Sequence, residues 1–432
     1  GTVTMNSDAD EFSAIKVSGT TSGNVTYNRF VNVASSNEWD LIGSPVDGLS
    51  ISSFVSTNTS GTATLATNGA QYAVGVYNNS NNDWSNYTTA SGSNDVASAG
   101  NFDIGKGYQM GTVSGGTQLL AFTGSIATSD QLQAIINNHD NGSGGRRFNL
   151  VANPFPSYLN LNDDADGTNN VLSVNSSLFA DPYVAVFGYD DDGTGFTGYG
   201  HDYQSNTAKY IAPGQAFMIA PTSSSSVNLS FTEAMQTVTG GDDFISGDPM
   251  DNTEIYLFLY NGDEIIETTH IKFQDNMTLG LDRGYDIGNY YQGAAISTRL
   301  IQNDEGTNFE QQQLPVSAME NAVIPLVINQ SAGQEFRINL FTATIPDPNV
   351  YLEDVEEGTF TNLYEGDFVY TPTSDLSGVG RFFIHMTADT MSNEEVSTSM
   401  LNAYKEIDAS FITIEGLATQ TNETNVSLYN IL

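Results

Sequence analysis

Cysteine is absent from the 432-residue chain, which excludes disulfides, thiolate catalysis and Cys-ligated zinc or iron–sulfur sites. Cations are scarce: 12 Lys and Arg stand against 51 Asp and Glu, a formal net charge of −39. A phosphate backbone needs a basic stripe, so no nucleic-acid partner is expected. An acidic surface suits divalent cations instead and keeps a chain dissolved in salt. No apolar run reaches the roughly 18 residues of a membrane-spanning helix, so no transmembrane segment is expected. No signal-peptide pattern opens the chain at Gly1, as expected of a mature or partial product. Histidines number 4, with no HExxH or His-x-His pair, so a His-rich zinc site is not expected. No G-x-S-x-G nucleophile elbow occurs either.

What is present is apolar mass for real cores: 39% hydrophobic residues and 11% aromatics. Only 15% of residues are charged, so the polar surface is mostly Asn, Ser, Thr and Gly. Apolar and polar residues alternate in "YAVGVY" (72–77), "EIYLFLY" (254–260), "EFRINLF" (335–341) and "RFFIHM" (381–386). Such short runs between turn signals predict strands. One helix is expected, with Ser129 as N-cap and Leu132, Ile135, Ile136 and His139 at helical spacing. The expected fold class is all-β: tandem antiparallel β-sandwich domains, jelly-roll or Ig-like, with a duplicated unit and minimal helix.

The duplication is read from three anchors at one spacing. "WDLIGSP" (39–45) matches "FNLVANP" (148–154), "GKGYQM" (105–110) matches "GQAFMI" (214–219), and "LAFTG" matches "LSFTE" with Phe122 against Phe231. Each pair is 109 residues apart, the mark of a repeated supersecondary unit. The expected organisation is leading strands over 1–32, repeat 1 over 33–127, repeat 2 over 128–240, a third sandwich over 241–392 and a further start of a domain over 393–432. The stretches "TGGDDFISGDPMDN" (239–252) and "TADTMSNEEVSTS" (387–399) read as linkers.

Several of these stretches carry a resemblance. "FNLVANPFPS" (148–157) resembles a "W-x-L-I-x-N-P-[Y/F]-P-S" signature of Bacteroidota exoproteins, whereas the Trp39 copy departs from it at Ser44, Val46 and Asp47. "GNVTYNRFV" (23–31) is similar to the strand that precedes this signature, and "DRGYD" (282–286) resembles a motif of a β-sandwich near the C-terminus of the same proteins. "AYKEIDASFITIEGL" followed by "NVSLYNIL" (403–432) resembles the opening of a type A sorting domain of the type IX secretion system, without its later strands. The resemblance implies export to the outer-membrane surface or medium, with type IX translocon, shuttle and sortase components as partners. It also implies an O-glycosylation pattern at Asp389-Thr390-Met391, with Thr390 as acceptor.

Candidate chemistry falls mainly in the second repeat. Asn162, Asp164 and Asp166, followed by Gly167, fit the opening of an EF-hand-type loop, with Ser173 where the bidentate Glu belongs. Asp190 and Asp192 of the neighbouring "DDD" run are the candidate further ligands, making Ca²⁺ the one candidate cofactor; the alternative is a solvated Asp/Asn turn capping its own backbone. Gly193-x-Gly195-x-x-Gly198 has dinucleotide spacing but lacks the strand–helix context and follows three aspartates. Tyr189, Phe196, Tyr199 and Tyr203 could stack on sugar rings or pin a long hairpin. His270, His385, Lys272, Arg146, Arg147 and Arg283 read as structural, the cations by pairing with carboxylates. No catalytic residue is assigned.

The expected function is that of an extracellular, non-catalytic cell-surface structural or adhesive protein exported by type IX secretion. Surface glycans or other copies of the chain are candidate partners. The alternative is a carbohydrate-binding region attached to an upstream enzyme or adhesin, with a hydrolase as the residual class.

Overall fold

The computed structural model describes residues 3–34, 39–61, 64–92, 94–139, 141–188, 208–241, 254–290, 293–343, 349–387, 402–404 and 413–415. Strand outweighs helix, 43% against 7%, so the chain is mostly β. It divides into two compact units, Gly1–Gly247 and Asp248–Leu432.

In the first unit the elements run β1 (Val3–Asn6), β2 (Val25–Phe30), β3 (Asp40–Ile42), α1 (Ile51–Thr59), β4 (Thr67–Asn68), β5 (Gln71–Asn78), β6 (Asp83–Thr88), β7 (Tyr108–Met110) and β8 (Leu119–Gly124). Then follow β9 (Gln131–Ile135), β10 (Asn149–Ala152), β11 (Tyr158–Asn160), α2 (Val171–Val174), β12 (Tyr210–Ile211), β13 (Ala216–Ile219), β14 (Val227–Phe231) and β15 (Gln236–Thr237). Several small sheets result, among them β1-β2-β8, β3-β7-β5-β4, β10-β13 and β14-β9. Their registers keep the 109-residue spacing. Leu41 faces Gln109 and Ile42 faces Tyr108 across β3 and β7; Leu150 faces Met218 and Val151 faces Phe217 across β10 and β13. Gly105 and Gly214, equivalent by the repeat, both sit at positive φ (82° and 69°), which is why the repeat keeps glycine there.

Each copy also carries an asparagine staple. Asn58, in the last turn of α1, donates from Nδ2 to the carbonyls of Phe54 and Ala121, and its Oδ1 accepts the Ala121 amide. Asn175, just after α2, does the same with Val171, Ser230 and the Ser230 amide. Both side chains are buried and each ties a helix end to the strand that closes its copy, β8 or β14. Asn58→Ala or Asn175→Ala leaves a strand amide and carbonyl unpaired, so each should cost about 2 kcal/mol. Urea unfolding followed by tryptophan fluorescence checks this, because both Trp residues, Trp39 and Trp84, lie in the first unit; a loss below about 0.5 kcal/mol would remove the staple's role.

The helix expected after Ser129 is a strand. β9 pairs antiparallel with β14 from Gln131 opposite Phe231 to Ile135 opposite Val227. Leu132 is 57% exposed while Ile135 is 1% exposed, so the apolar spacing does not form a buried stripe. A short apolar run fits either period, and β14 offers it a full row of backbone partners. A helix forms elsewhere: α1 has Ile51, Phe54, Val55 and Asn58 on its buried face and Ser50 as N-cap to the Ser53 amide.

The two copies pair with each other reciprocally. The Gly43 amide donates to the Gly214 carbonyl at 2.7 Å, and the Ala152 amide to the Gly105 carbonyl at 2.8 Å. Bridges join Ile42 to Gln215 and Lys106 to Val151. Every partner in one contact is 109 residues from its counterpart in the other, so the copies meet about a local pseudo-two-fold, as subunits do in an isologous dimer. The corner after β10 is fixed by Asn153, whose Nδ2 donates to the carbonyls of Ser157, Ile211 and Ala212 and whose Oδ1 accepts the Phe155 amide. Pro154 and Pro156 cannot continue a ladder there.

The second unit contains β16 (Glu254–Asn261), β17 (Glu264–Gln274), β18 (Ile287–Gly288), β19 (Ile296–Thr298), β20 (Phe309–Pro315), β21 (Val323–Ile328), β22 (Phe336–Ala343), β23 (Asn349–Asp354), β24 (Thr359–Asn362), β25 (Phe368–Tyr370) and β26 (Phe382–Thr387), then the pair β27 (Asn402–Tyr404) and β28 (Thr413–Glu415). Its main sheet runs β24-β23-β26-β21-β19-β20-β17-β16-β22-β25, with β18 on β20. This sheet is mixed and nearly closed, like a barrel, and among the described residues β17 and β20 are its one parallel pair. Ile255, Leu257, Leu259, Ile271, Ile338 and Ile384 are among the residues of its core. Alternation then forces Tyr256, Phe258 and Tyr260 onto the opposite face of β16.

Candidate functional site: polar clusters and an aromatic sheet face

The acidic loop after β11 is organised by its own backbone. Asn162 Oδ1 accepts the amides of Ala165 (3.2 Å) and Lys209 (3.0 Å). Asp166 Oδ1 accepts the amides of Thr168 and Asn169, both at 2.9 Å, and these bonds hold its carboxyl below the usual carboxylate range. Asp163 accepts from Asn170 Nδ2 and Ser173 Oγ, so it braces the N-cap of α2. Asp164 is exposed. Asn162 and Asp166 thus share one turn as backbone caps. No group of three metal-ligating His, Asp or Glu side chains gathers among the described residues. Asp190, Asp192, Tyr189, Phe196, Tyr199, Tyr203 and Thr390 lie outside the described residues.

In the second unit the structure assembles a polar cluster that sequence spacing does not show. Glu254 lies opposite Lys272, and His270 lies between Tyr256 and Gln311, in the registers of β16, β17 and β20. Glu254 Oε2 is 2.6 Å from His270 Nε2, and its Oε1 is 3.5 Å from Lys272 Nζ. The Tyr256 ring stacks on the imidazole at 3.8 Å. Burial pushes His270 down to about 4, even against the Glu254 hydrogen bond, so the imidazole is neutral at pH 7. Burial raises Glu254, but the His270 bond and the Lys272 charge leave it below its ordinary value. The charge in this cluster is therefore a Lys272–Glu254 pair, and the imidazole orients its carboxylate.

Beside it, the "DRGYD" segment forms a self-locked turn. Asp286 Oδ2 accepts the Asp282 amide at 2.6 Å, and its Oδ1 accepts the Gln313 amide of β20 at 2.7 Å. Gln311 Nε2 donates to the Tyr285 carbonyl. Burial pushes Asp286 up to about 7, against these two bonds, and Glu267 up to about 6. A carboxyl raised by folding stabilises the fold below its unfolded value, and that stability is lost as pH rises through the folded value. His270 works the other way: its contribution is present above about 6.5 and is lost as pH falls through about 4. Burial also raises Glu310, beside Glu267, so the raised carboxyls outweigh His270 and the second unit should gain at least about 1 kcal/mol between pH 8 and pH 6. Calorimetry would follow the transition that tryptophan fluorescence does not report, and Asp286→Asn should reduce that rise. A stability that falls over the same interval would refute the assignment.

The open part of the same sheet face is aromatic. Along β16, Tyr256, Phe258 and Tyr260 follow one another with centroids 6.4 and 6.3 Å apart. Phe341 of β22 packs on Phe258 at 4.9 Å while remaining 49% exposed. The Arg337 guanidinium lies 3.9 Å from the Tyr260 ring centroid. Asp367 joins Arg337 Nη1 (2.7 Å) to Asn339 Nδ2 (2.6 Å). Burial raises the Asp367 carboxyl, but these bonds and the guanidinium charge bring it below its usual range. Register puts Tyr260, Arg337 and Val369 in one row across β16, β22 and β25, and Val369 is 53% exposed. The two alternating stretches "EIYLFLY" and "EFRINLF" predicted strands but not their adjacency, and adjacency makes this face.

Among known proteins, a family model described as a domain of unknown function, DUF8693, matches residues 1–386. No curated protein and no solved structure matches the chain.

Proposed function

The chain belongs to the DUF8693 domain family, and we propose that it is an extracellular, non-catalytic structural or adhesive part of a cell-surface protein exported by type IX secretion. One observation carries this reading: His270, His385, Arg381 and Asp286, all among the described residues, are committed to scaffold. His270 is bound to Glu254 and His385 to Glu353. Arg381 is bound bidentately to Asp354, and Asp286 caps two backbone amides. The internal pairing of two β-rich copies suits a load-bearing spacer, which in this reading is sandwich-like, jelly-roll or Ig-like. The resemblance of residues 403–432 to the opening of a sorting domain supplies the route, with translocon, shuttle and sortase components as partners.

The test is surface exposure. A tagged full-length protein in a Bacteroidota host should be removed by protease treatment of intact cells and retained inside a strain lacking the translocon. A tag protected in intact wild-type cells would refute the reading.

A second reading is favoured by the aromatic face of the second unit: a carbohydrate-binding region. Calcium at Asn162, Asp164, Asp166, Asp190 and Asp192, sugar stacking at Tyr189, Phe196, Tyr199 and Tyr203, and glycosylation at Thr390 remain proposals of the same kind. For calcium, an unchanged melting midpoint on adding chelator would end the case.

A further inference from the structure

We infer that the outer face of the sheet at β16, β22 and β25 is a binding platform for a neutral polysaccharide, gripped by Phe341 and by the Arg337–Asn339–Asp367 network. The inference rests on the reading of the chain as an adhesive surface part and gives that part a ligand class.

Two features of the face point to sugar. First, apolar surface is left open on this face: Phe341 is 49% and Val369 is 53% exposed, although Phe258 beneath Phe341 is buried. An exposed phenylalanine held by an edge-to-face contact is a rigid apolar surface, suited to the C–H face of a sugar ring. Second, polar groups with spare capacity lie in the same rows. Asp367 fixes Arg337 and Asn339 in place through two short bonds. The guanidinium has five N–H donors, of which its bond to Asp367 uses Nη1. Donors and acceptors side by side on this face match vicinal hydroxyls. They do not match a lipid or an apolar peptide, which would strip these groups of water without replacing it.

Charge selects among the remaining partners. On this face Arg337 is balanced by Asp367 and Lys272 by Glu254. Around it lies a chain with a net charge of −39. Polyanions such as uronate polymers are repelled, and so is a second copy of the chain. A neutral glycan suffers no such penalty.

Affinity electrophoresis of the full chain tests the inference, using gels cast with xylan, galactomannan or mixed-linkage β-glucan and, separately, alginate. Retardation by at least one neutral polymer is expected, with Phe341→Ala and Arg337→Ala each weakening it roughly tenfold. Phe341 is half exposed, so its replacement should leave the melting midpoint in place; Val369→Ser, at the rim, supplies a second variant with an intact fold. Three results would overturn the platform: no retardation by any neutral polymer, retardation unaffected by all three variants, or retardation by alginate alone. A dimer seen by light scattering and abolished by Phe341→Ala would overturn it too, assigning the face to self-association. Each of these leaves the protease-exposure result untouched, so failure of the ligand class is distinguishable from failure of surface export.

Discussion

Replacing Arg381 by alanine should destabilise the second unit by about 3–5 kcal/mol, the cost of leaving a buried partner charge uncompensated. The partner is Asp354, whose side chain is fully buried. Arg381 Nε donates to Asp354 Oδ1 at 2.9 Å and its Nη2 to Oδ2 at 2.7 Å, a two-pronged pair. The same guanidinium lies 4.4 Å from the Tyr370 ring centroid and 4.9 Å from that of Phe382. Position makes this more than a local contact. Tyr370 is in β25, one end of the sheet order, and Asp354 is in β23, next to the other end at β24. Arg381 therefore clamps the seam where the barrel-like sheet fails to close. Its further ion pair, to Glu356, is exposed on the carboxylate side and should contribute little.

The prediction has an internal control. Arg381→Met with Asp354→Asn removes both charges while keeping much of the side-chain volume, so it should cost clearly less than Arg381→Ala alone. Urea unfolding of the second unit, with hydrogen exchange at β24 and β25, measures both effects. If the double variant is as unstable as the sum of the two single ones, the pair is not a coupled clamp. Faster exchange confined to the two terminal strands is the signature expected of an opened seam.

Part of the first unit was legible in the sequence because its matching stretches recur at one spacing. The matching registers of β3 with β7 and β10 with β13 follow the 109-residue spacing residue by residue. How the copies meet was not legible, since a repeat states similarity and not contact. The segment after Ser129 shows a second limit. Its Leu132–Ile135 spacing fits a helix, but long-range pairing with β14 decides the matter. The Ser- and Thr-rich α1 passed unnoticed for the complementary reason: its apolar positions carry the helical period, whereas its residue types favour other structure. In the second unit the alternation of "EIYLFLY" gave a strand and two faces. Which face would be covered depends on β22 and β25, some 80 and 110 residues later, so neither the His270 cluster nor the aromatic platform could be read from local pattern.

The contact between the copies yields the other large effect. A Cβ on Gly43 would overlap the Cβ of Ala152 and lie 2.8 Å from the Lys106 carbonyl oxygen. Gly43→Ala should therefore cost about 3 kcal/mol, at the upper end for overpacking, because backbone stands on one side and a β-carbon on the other. Gly43 and Ala152 are equivalent positions of the repeat, facing each other across the pseudo-two-fold. Gly107 and Ala216, also equivalent, repeat the arrangement: a Cβ on Gly107 would lie 2.8 Å from that of Ala216. With alanine in both copies the axis would be overfilled; with glycine in both, it would hold a void. One glycine and one alanine fill it, a solution open to a duplicated chain but not to a dimer of identical subunits. Combining Gly43→Ala with Ala152→Gly should consequently restore a large part of the lost stability, although Ala152→Gly alone should destabilise by about 1 kcal/mol. Unfolding monitored through Trp39 and Trp84 reads all three variants in the unit that carries the change. Recovery in the double variant would show that the two copies are held together by a complementary pair, and strict additivity would show that Gly43 is constrained by the Lys106 carbonyl alone.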